Sequence, residues 1–258
     1  MIAPKGTAMN ADEMYRAVMT TDPPEAATPL DADQRNHRFG NIWSRPGLGI
    51  RDRRFVTIVC ASAAVDVPLM DEHVYAALVS GDLTVDQLNE LTLHFAVYCG
   101  WPRASQLEMT VRGQWQRLHD ERGEPTPPFP ERDLSELEPA DTATRLAGGV
   151  ECFKEVNLID APGQDSPYFH AGIINFVFGH LWQRPGLTRR ERRLITIPCV
   201  AVGDAIGPIW SHVTSALGSG DVSYDEMQEI ILHISTYSGM PRATVLRDVA
   251  TQWQASQP

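Results

Sequence analysis

The fold class this sequence predicts is all-α, built from two tandem copies of one helical module. Three observations predict it. The chain repeats itself without a gap, helix-capping signals recur at matched positions, and strand signals are sparse. Residues 39–48, FGNIWSRPGL, return as residues 178–187, FGHLWQRPGL, at an offset of 139. About 30 of the 69 positions from Phe39 to Leu107 are identical at that offset, where chance gives only a few. A copy this long is no solenoid unit, so the repeat reads as a duplicated module.

Each element follows in order. Lead-ins occupy roughly residues 12–38 and 145–177. Asp52 to Ala64 and Glu191 to Val202 are apolar-rich after a charged start, and read as the first helix of each repeat. Thr188-x-x-Glu191 has capping-box spacing, whereas the first copy has Gly49 at that place, a weaker cap. A second helix is expected over about Pro68–Ser80 and Pro208–Ser219, closed by Gly81 and Gly220, where positive φ is cheap only for glycine. Thr84-x-x-Gln87 and Ser223-x-x-Glu226 are capping boxes that start a third helix, with Asp86 and Asp225 at its positive end. Gly100 and Gly239 end it. Pro102 and Pro241 open a fourth, which carries Trp115 and Trp253 near its end. Arg117 to Thr144 holds five prolines among many charges, a linker signature. The expected organisation is a first module over residues 1–116, a linker over 117–144 and a second module over 145–258.

Composition narrows the function classes. The 258 residues are 43% hydrophobic and 21% charged, which suits a globular protein. The net charge of −11 disfavours nucleic acid and anionic membrane surfaces as partners. No apolar run approaches the ~20 residues of a spanning helix. Met1 to Tyr15 has no apolar signal core, so the expected location is cytoplasmic. Cys60, Cys99, Cys152 and Cys199 form no C-x-x-C pair and read as free, mostly core thiols.

Polar residues kept in both copies are the candidate functional set. Glu90, His94 and Tyr98 share one helix face at i, i+4, i+8, and Glu229, His233 and Tyr237 repeat the pattern. A carboxylate beside an imidazole suits general acid–base chemistry, and it equally suits a network that holds a helix bundle together. His73 and His212 lie among apolar or small neighbours, as a core histidine or a proton shuttle would. His73, Glu90 and His94 have the composition of a metal set but no diagnostic spacing, and no metal is expected. Arg51, Arg53 and Arg54, matched by Arg190, Arg192 and Arg193, crowd the helix start that electrostatics disfavours for cations. Each needs a carboxylate of the protein or an anionic ligand. Trp43 and Trp182 read as core or pocket wall.

The combined pattern W-x-R-P-G-L, R-x-R, H-x-x-x-A-L-x-x-G and E-x-x-x-H-x-x-x-Y-x-G-x-P, present twice, resembles the carboxymuconolactone decarboxylase family of the alkylhydroperoxidase D-like superfamily. The resemblance implies an all-helical fold, with the two modules packed as an internal pseudo-dimer and three chains making a pseudo-hexamer. The superfamily's peroxidase branch carries C-x-x-C before the second-helix histidine. Here Asp66-x-x-Leu69 and Ala205-x-x-Pro208 stand there, so no thiol peroxidase is expected. The decarboxylase branch implies a cofactor-independent lyase acting on a small carboxylated lactone or related carbonyl acid. On that resemblance His73, Glu90, His94, His212, Glu229 and His233 are the expected catalytic residues. Arg51, Trp43, Tyr98, Arg190, Trp182 and Tyr237 are expected to bind an anionic substrate. A cyclase, isomerase or hydrolase using the same pocket, or a ligand-binding scaffold, are the alternatives. The family often carries glutamine where this chain has His94 and His233.

Overall fold

The computed structural model describes residues 10–135 and 142–257. Residues 1–9 of the N-terminal stretch and residues 136–141 of the expected linker lie outside the described residues. The first half contains α1 (Ala11–Met19), α2 (Pro29–Gln34), a wide π-helical segment π1 (Arg35–Trp43), α3 (Ile50–Ala64), α4 (Val67–Ser80), α5 (Val85–Cys99) and α6 (Trp101–Arg122). The second contains α7 (Thr142–Asn157), π2 (Tyr168–Phe178), a short turn of helix at Leu181–Gln183, α8 (Arg189–Val202), α9 (Ile206–Gly218), α10 (Tyr224–Ser238) and α11 (Met240–Ala255). No strand occurs among the described residues, and no helix there is long and apolar enough to cross a membrane.

Local chemistry starts and stops these helices where the caps predict. Thr84, Thr188 and Ser223 each accept from the backbone N–H three residues on, and the residue there returns the bond. Gly49 makes no side-chain cap, as expected. Gly81 and Gly220 take φ of 73° and 74°. The lead-ins are where local reasoning fell short. Each ends in a π-helix, a form common only as short bulges, and both π segments border the pockets described below.

The two halves share one core rather than two. Helix α3 packs on α8 at the centre, and each third helix crosses to the other half, α5 onto α8 and α10 onto α3. Ile58, Ile197, Leu91 and Ile230 are fully buried in the resulting cluster. The buried arginines of α3 and α8 tie the lead-ins to this centre. Arg54 donates to Asp82 Oδ2 at 2.6 Å and to the Val18 carbonyl at 2.6 Å. Arg193 donates to Asp221 Oδ2 at 3.1 Å and to the Val156 carbonyl at 2.5 Å. A buried guanidinium is tolerable only when paired in this way. The repeated Ser-Gly-Asp motif thus supplies the counter-charge for the repeated arginine.

Helix α6 continues through Arg122, past the expected linker start at Arg117. The prolines that follow lie against the first module. Trp115 Nε1 donates to the Pro127 carbonyl at 3.1 Å, and Arg112 sits over the Phe129 ring at 4.4 Å. Helix α7 approaches π2 so closely that a Cβ on Gly149 would strike the Ile174 carbonyl. Gly149→Ala is therefore expected to cost about 1–3 kcal/mol in denaturant titrations. An unchanged midpoint would contradict that contact.

Candidate active site

The crossing of α5 and α10 creates two composite sites, each drawing on both halves. In the first, His73 stacks on Trp43 with centroids 5.8 Å apart, and Trp43 Nε1 donates to Tyr237 Oη at 2.9 Å. In the second, His212 stacks on Trp182 at 6.2 Å, and Trp182 Nε1 donates to Tyr98 Oη at 2.9 Å. The expected grouping of His73 with Glu90 and His94 does not form. His73 sits with Trp43 and Tyr237, while Glu90 and His94 sit with Arg184 and Arg192. The reason is the crossover, which hands each third helix to the other copy. No group of three His, Cys, Asp or Glu side chains among the described residues is placed to hold a metal ion.

The two carboxylates do not touch the imidazoles on their own helix. Arg184 holds Glu90 at 2.7 and 3.0 Å, joined by Arg132 at 3.1 Å. Arg45 holds Glu229 at 2.6 Å, and Arg53 holds it at 3.0 Å. Burial alone would raise the Glu229 carboxyl, but these arginine bonds outweigh it and hold it below the usual carboxylate range. Arg51 and Arg190, expected to grip substrate, lie on neither pocket wall. Arg51 pairs with Glu191, and Arg190 pairs with Asp52 at 2.7 Å and Glu226 at 2.8 Å. Their positive charge is already spent on protein carboxylates across the α3–α8 contact.

The fully buried His94 and His233 act as links in a directed chain. Arg192 Nη1 lies 3.2 Å from His94 Nδ1, and His94 Nε2 lies 2.8 Å from Thr196 Oγ1. A guanidinium can only donate, so Nδ1 accepts and the proton sits on Nε2. That N–H donates to Thr196 Oγ1. Tyr98 Oη accepts from Trp182 Nε1, which leaves its own O–H to donate. Arg53, His233 and Thr57 repeat the first links at 3.3 and 2.7 Å. Thr57 and Thr196 repeat in the sequence, but only their geometry shows this role.

Each site opens on a pocket, of 790 Å³ in the first half and 820 Å³ in the second. Tyr237 lines the first and Tyr98 the second. His212 also lines the second, whereas His73 is absent from the wall of the first. Arg38, a residue the repeat did not flag, explains the difference. Its Nη2 lies 3.4 Å from His73 Nε2 and 3.3 Å from Tyr237 Oη, and its guanidinium lies over the Tyr237 ring. The second copy has Val177 at that position. Comparing unmatched positions of the two copies would have exposed this residue.

Burial, with the Arg193 charge adding to it, pushes the His212 imidazole down to about 3 from 6.5. Burial also drives His73, His94 and His233 well below the ordinary histidine range, helped by Arg38, Arg192 and Arg53 respectively. All four are neutral at physiological pH. Because the folded pKa is the lower one, the unfolded chain takes up the proton first as pH falls below 6.5. Stability is full above that value and is lost downward toward the folded pKa. His212 alone should cost about 2 kcal/mol at about pH 5. Urea midpoints that stay level from neutral pH down to about pH 5 would contradict neutral burial.

Comparison with known proteins follows the same division of the chain. The profile of the carboxymuconolactone decarboxylase family matches residues 30–108 and again residues 167–252, more than half of the chain. A 4-carboxymuconolactone decarboxylase of Acinetobacter baylyi is 33% identical over 112 residues, which is 43% of this chain and 81% of that protein. A nitrosuccinic acid decarboxylase of Metarhizium robertsii is 34% identical over 80 residues, 31% of this chain and 51% of that protein, so the chain spans about half of its length.

Proposed function

Because the chain belongs to the carboxymuconolactone decarboxylase family, we propose that it is a decarboxylase-like lyase working in its second pocket. The activities for which the relatives are named support the reaction class, and the geometry supports the choice of pocket. One observation carries that choice. Tyr98 and His212 both face the second cavity, while Arg38 covers the corresponding histidine of the first.

The reaction begins with a carbonyl acid whose carboxylate lies one conjugated step from the carbonyl. The bond to the carboxylate breaks, carbon dioxide leaves, and the electron pair flows into the carbonyl. The oxyanion that forms accepts the Tyr98 O–H, which the bond from Trp182 leaves free for that purpose. Burial raises the Tyr98 hydroxyl well above its ordinary pKa, so it stays a donor. His212 is neutral and cannot deliver a proton as imidazolium. It relays one instead, taking a proton from water at one ring nitrogen and passing another to carbon from the other. Net, substrate carboxylate and water give product and bicarbonate. This chemistry asks for no cofactor.

Tyr98→Phe removes the oxyanion donor and is expected to lower kcat by about 10²-fold with little change in KM. Bicarbonate release from carboxymuconolactone and from larger carbonyl acids measures it. No release by the wild-type protein from any such acid would overturn the reading. Assembly of three chains into a pseudo-hexamer belongs to the same proposal, and sedimentation at low concentration tests it.

A further inference from the structure

The two pockets are the same structure twice, with opposite chemistry. At the repeat offset ten of the thirteen residues lining the first wall have their counterpart on the second. Where the first presents Asp33, His37, Arg38, Asp66 and Glu72, the second presents Gly172, Phe176, Val177, Ala205 and Ser211. Five titratable side chains are thus replaced by none, in cavities of 790 and 820 Å³. The second pocket adds Phe153 and Phe178 to its wall, and the exposed Trp101, Ile159 and Tyr168 carry the apolar surface out to the mouth. Asp160 is the charged residue on that wall, and its side chain points to solvent, 98% exposed.

A cavity this large and apolar is hydrated at a cost that an apolar ligand relieves. A compact polyanion would lose its hydration there without finding a cation. Two polar residues, Tyr98 and His212, nevertheless lie on the wall. The Tyr98 hydroxyl has a hydrogen to donate. Nδ1 of His212, a residue 95% buried by its 5% exposure, has no hydrogen-bond partner. His73 Nδ1 is orphaned in the same way behind Arg38, so that feature belongs to the repeated histidine; what is particular to the second pocket is that His212 lies on its wall.

We propose that the second pocket takes a substrate with an uncharged, planar aromatic body of about two fused rings, bearing its reacting carbonyl toward Tyr98 and His212. The proposal names the substrate class for the site assigned above and rests on that reading only for the reaction, not for the binding. The first pocket, polar and closed over its histidine by Arg38, does not take this ligand.

The test uses a neutral naphthyl ketone whose emission moves to the blue in apolar surroundings, 6-propionyl-2-(dimethylamino)naphthalene. The wild-type chain is expected to bind it saturably, one per chain, with a blue shift. A plain naphthyl ketone should displace it, and carboxymuconolactone should not. Val177→Arg, which imports the first pocket's arginine, is expected to weaken binding at least tenfold. Phe176→His makes the milder change at a half-buried position and should weaken it severalfold, which covers the case in which Val177→Arg does not fold. No saturable shift, equal displacement by carboxymuconolactone, or binding unchanged in the folded variants would overturn the proposal. A separate arm offers a naphthyl β-keto acid and reads bicarbonate above the uncatalysed rate. Binding without release would leave the ligand class standing and overturn the lyase reading alone.

Discussion

Replacing His212 by alanine is expected to lower turnover by about 10²–10⁴-fold, the usual contribution of a positioned proton-transfer group. The loss should fall on kcat, because the imidazole acts on the carbon left after decarboxylation rather than on the bound ground state. The protein should stay folded. His212 makes no ion pair, and its ring packs on Trp182 and Tyr98 at the edge of a cavity rather than deep in a filled core. Added imidazole can enter that cavity and should restore part of the rate. His73→Ala is the internal comparison. Its ring lies behind Arg38 and off the pocket wall, so turnover should stay close to wild type. Equal losses in the two variants would mean that both sites work. A larger loss in His73→Ala would move the reaction to the first half and sink the assignment.

Glu229→Ala carries the largest expected stability cost. Its carboxylate neutralises Arg53, which has no exposed surface, and also Arg45. Removing one member of a buried ion pair leaves an uncompensated charge and costs about 3–5 kcal/mol. For a chain of this size that is roughly 6–20 °C in Tm. Arg53 also holds the His233 tautomer, so the loss spreads to the α3–α10 contact. Glu229→Gln keeps an acceptor and should fall between. The kcat of the folded fraction should change little, since Glu229 serves the first site. A normal Tm combined with lost turnover would return Glu229 to the catalytic role expected from sequence.

Much of this protein is local and therefore legible. The capping residues Thr84, Thr188 and Ser223 act on amides three residues away, and the glycines at positions 81 and 220 act on their own φ. Helix boundaries follow to within a few residues. The repeat picks out the histidines, tyrosines, glutamates and arginines that build both sites. Their partners are another matter. Trp43 and Tyr237 are 194 residues apart, and Arg53 and Glu229 are 176 apart, and no periodicity connects them. Arg51 and Arg190 match a ligand-binding arginine in type and repetition, yet the crossing helices bring Glu191, Asp52 and Glu226 to them first.

The sequence alone therefore determined the number of modules, their helical order, the family and the inventory of polar side chains, because caps, turns and repeat identity are properties of neighbours along the chain. Tertiary structure decided which side chains meet. The exchange of α5 and α10 between halves turned two expected within-copy clusters into two composite sites, and made the glutamates counter-ions of buried arginines. It also set Arg38 over one histidine and Val177 beside the other. That single difference separates a covered imidazole from one open to a cavity, and it has meaning only once both helices of each site are in place.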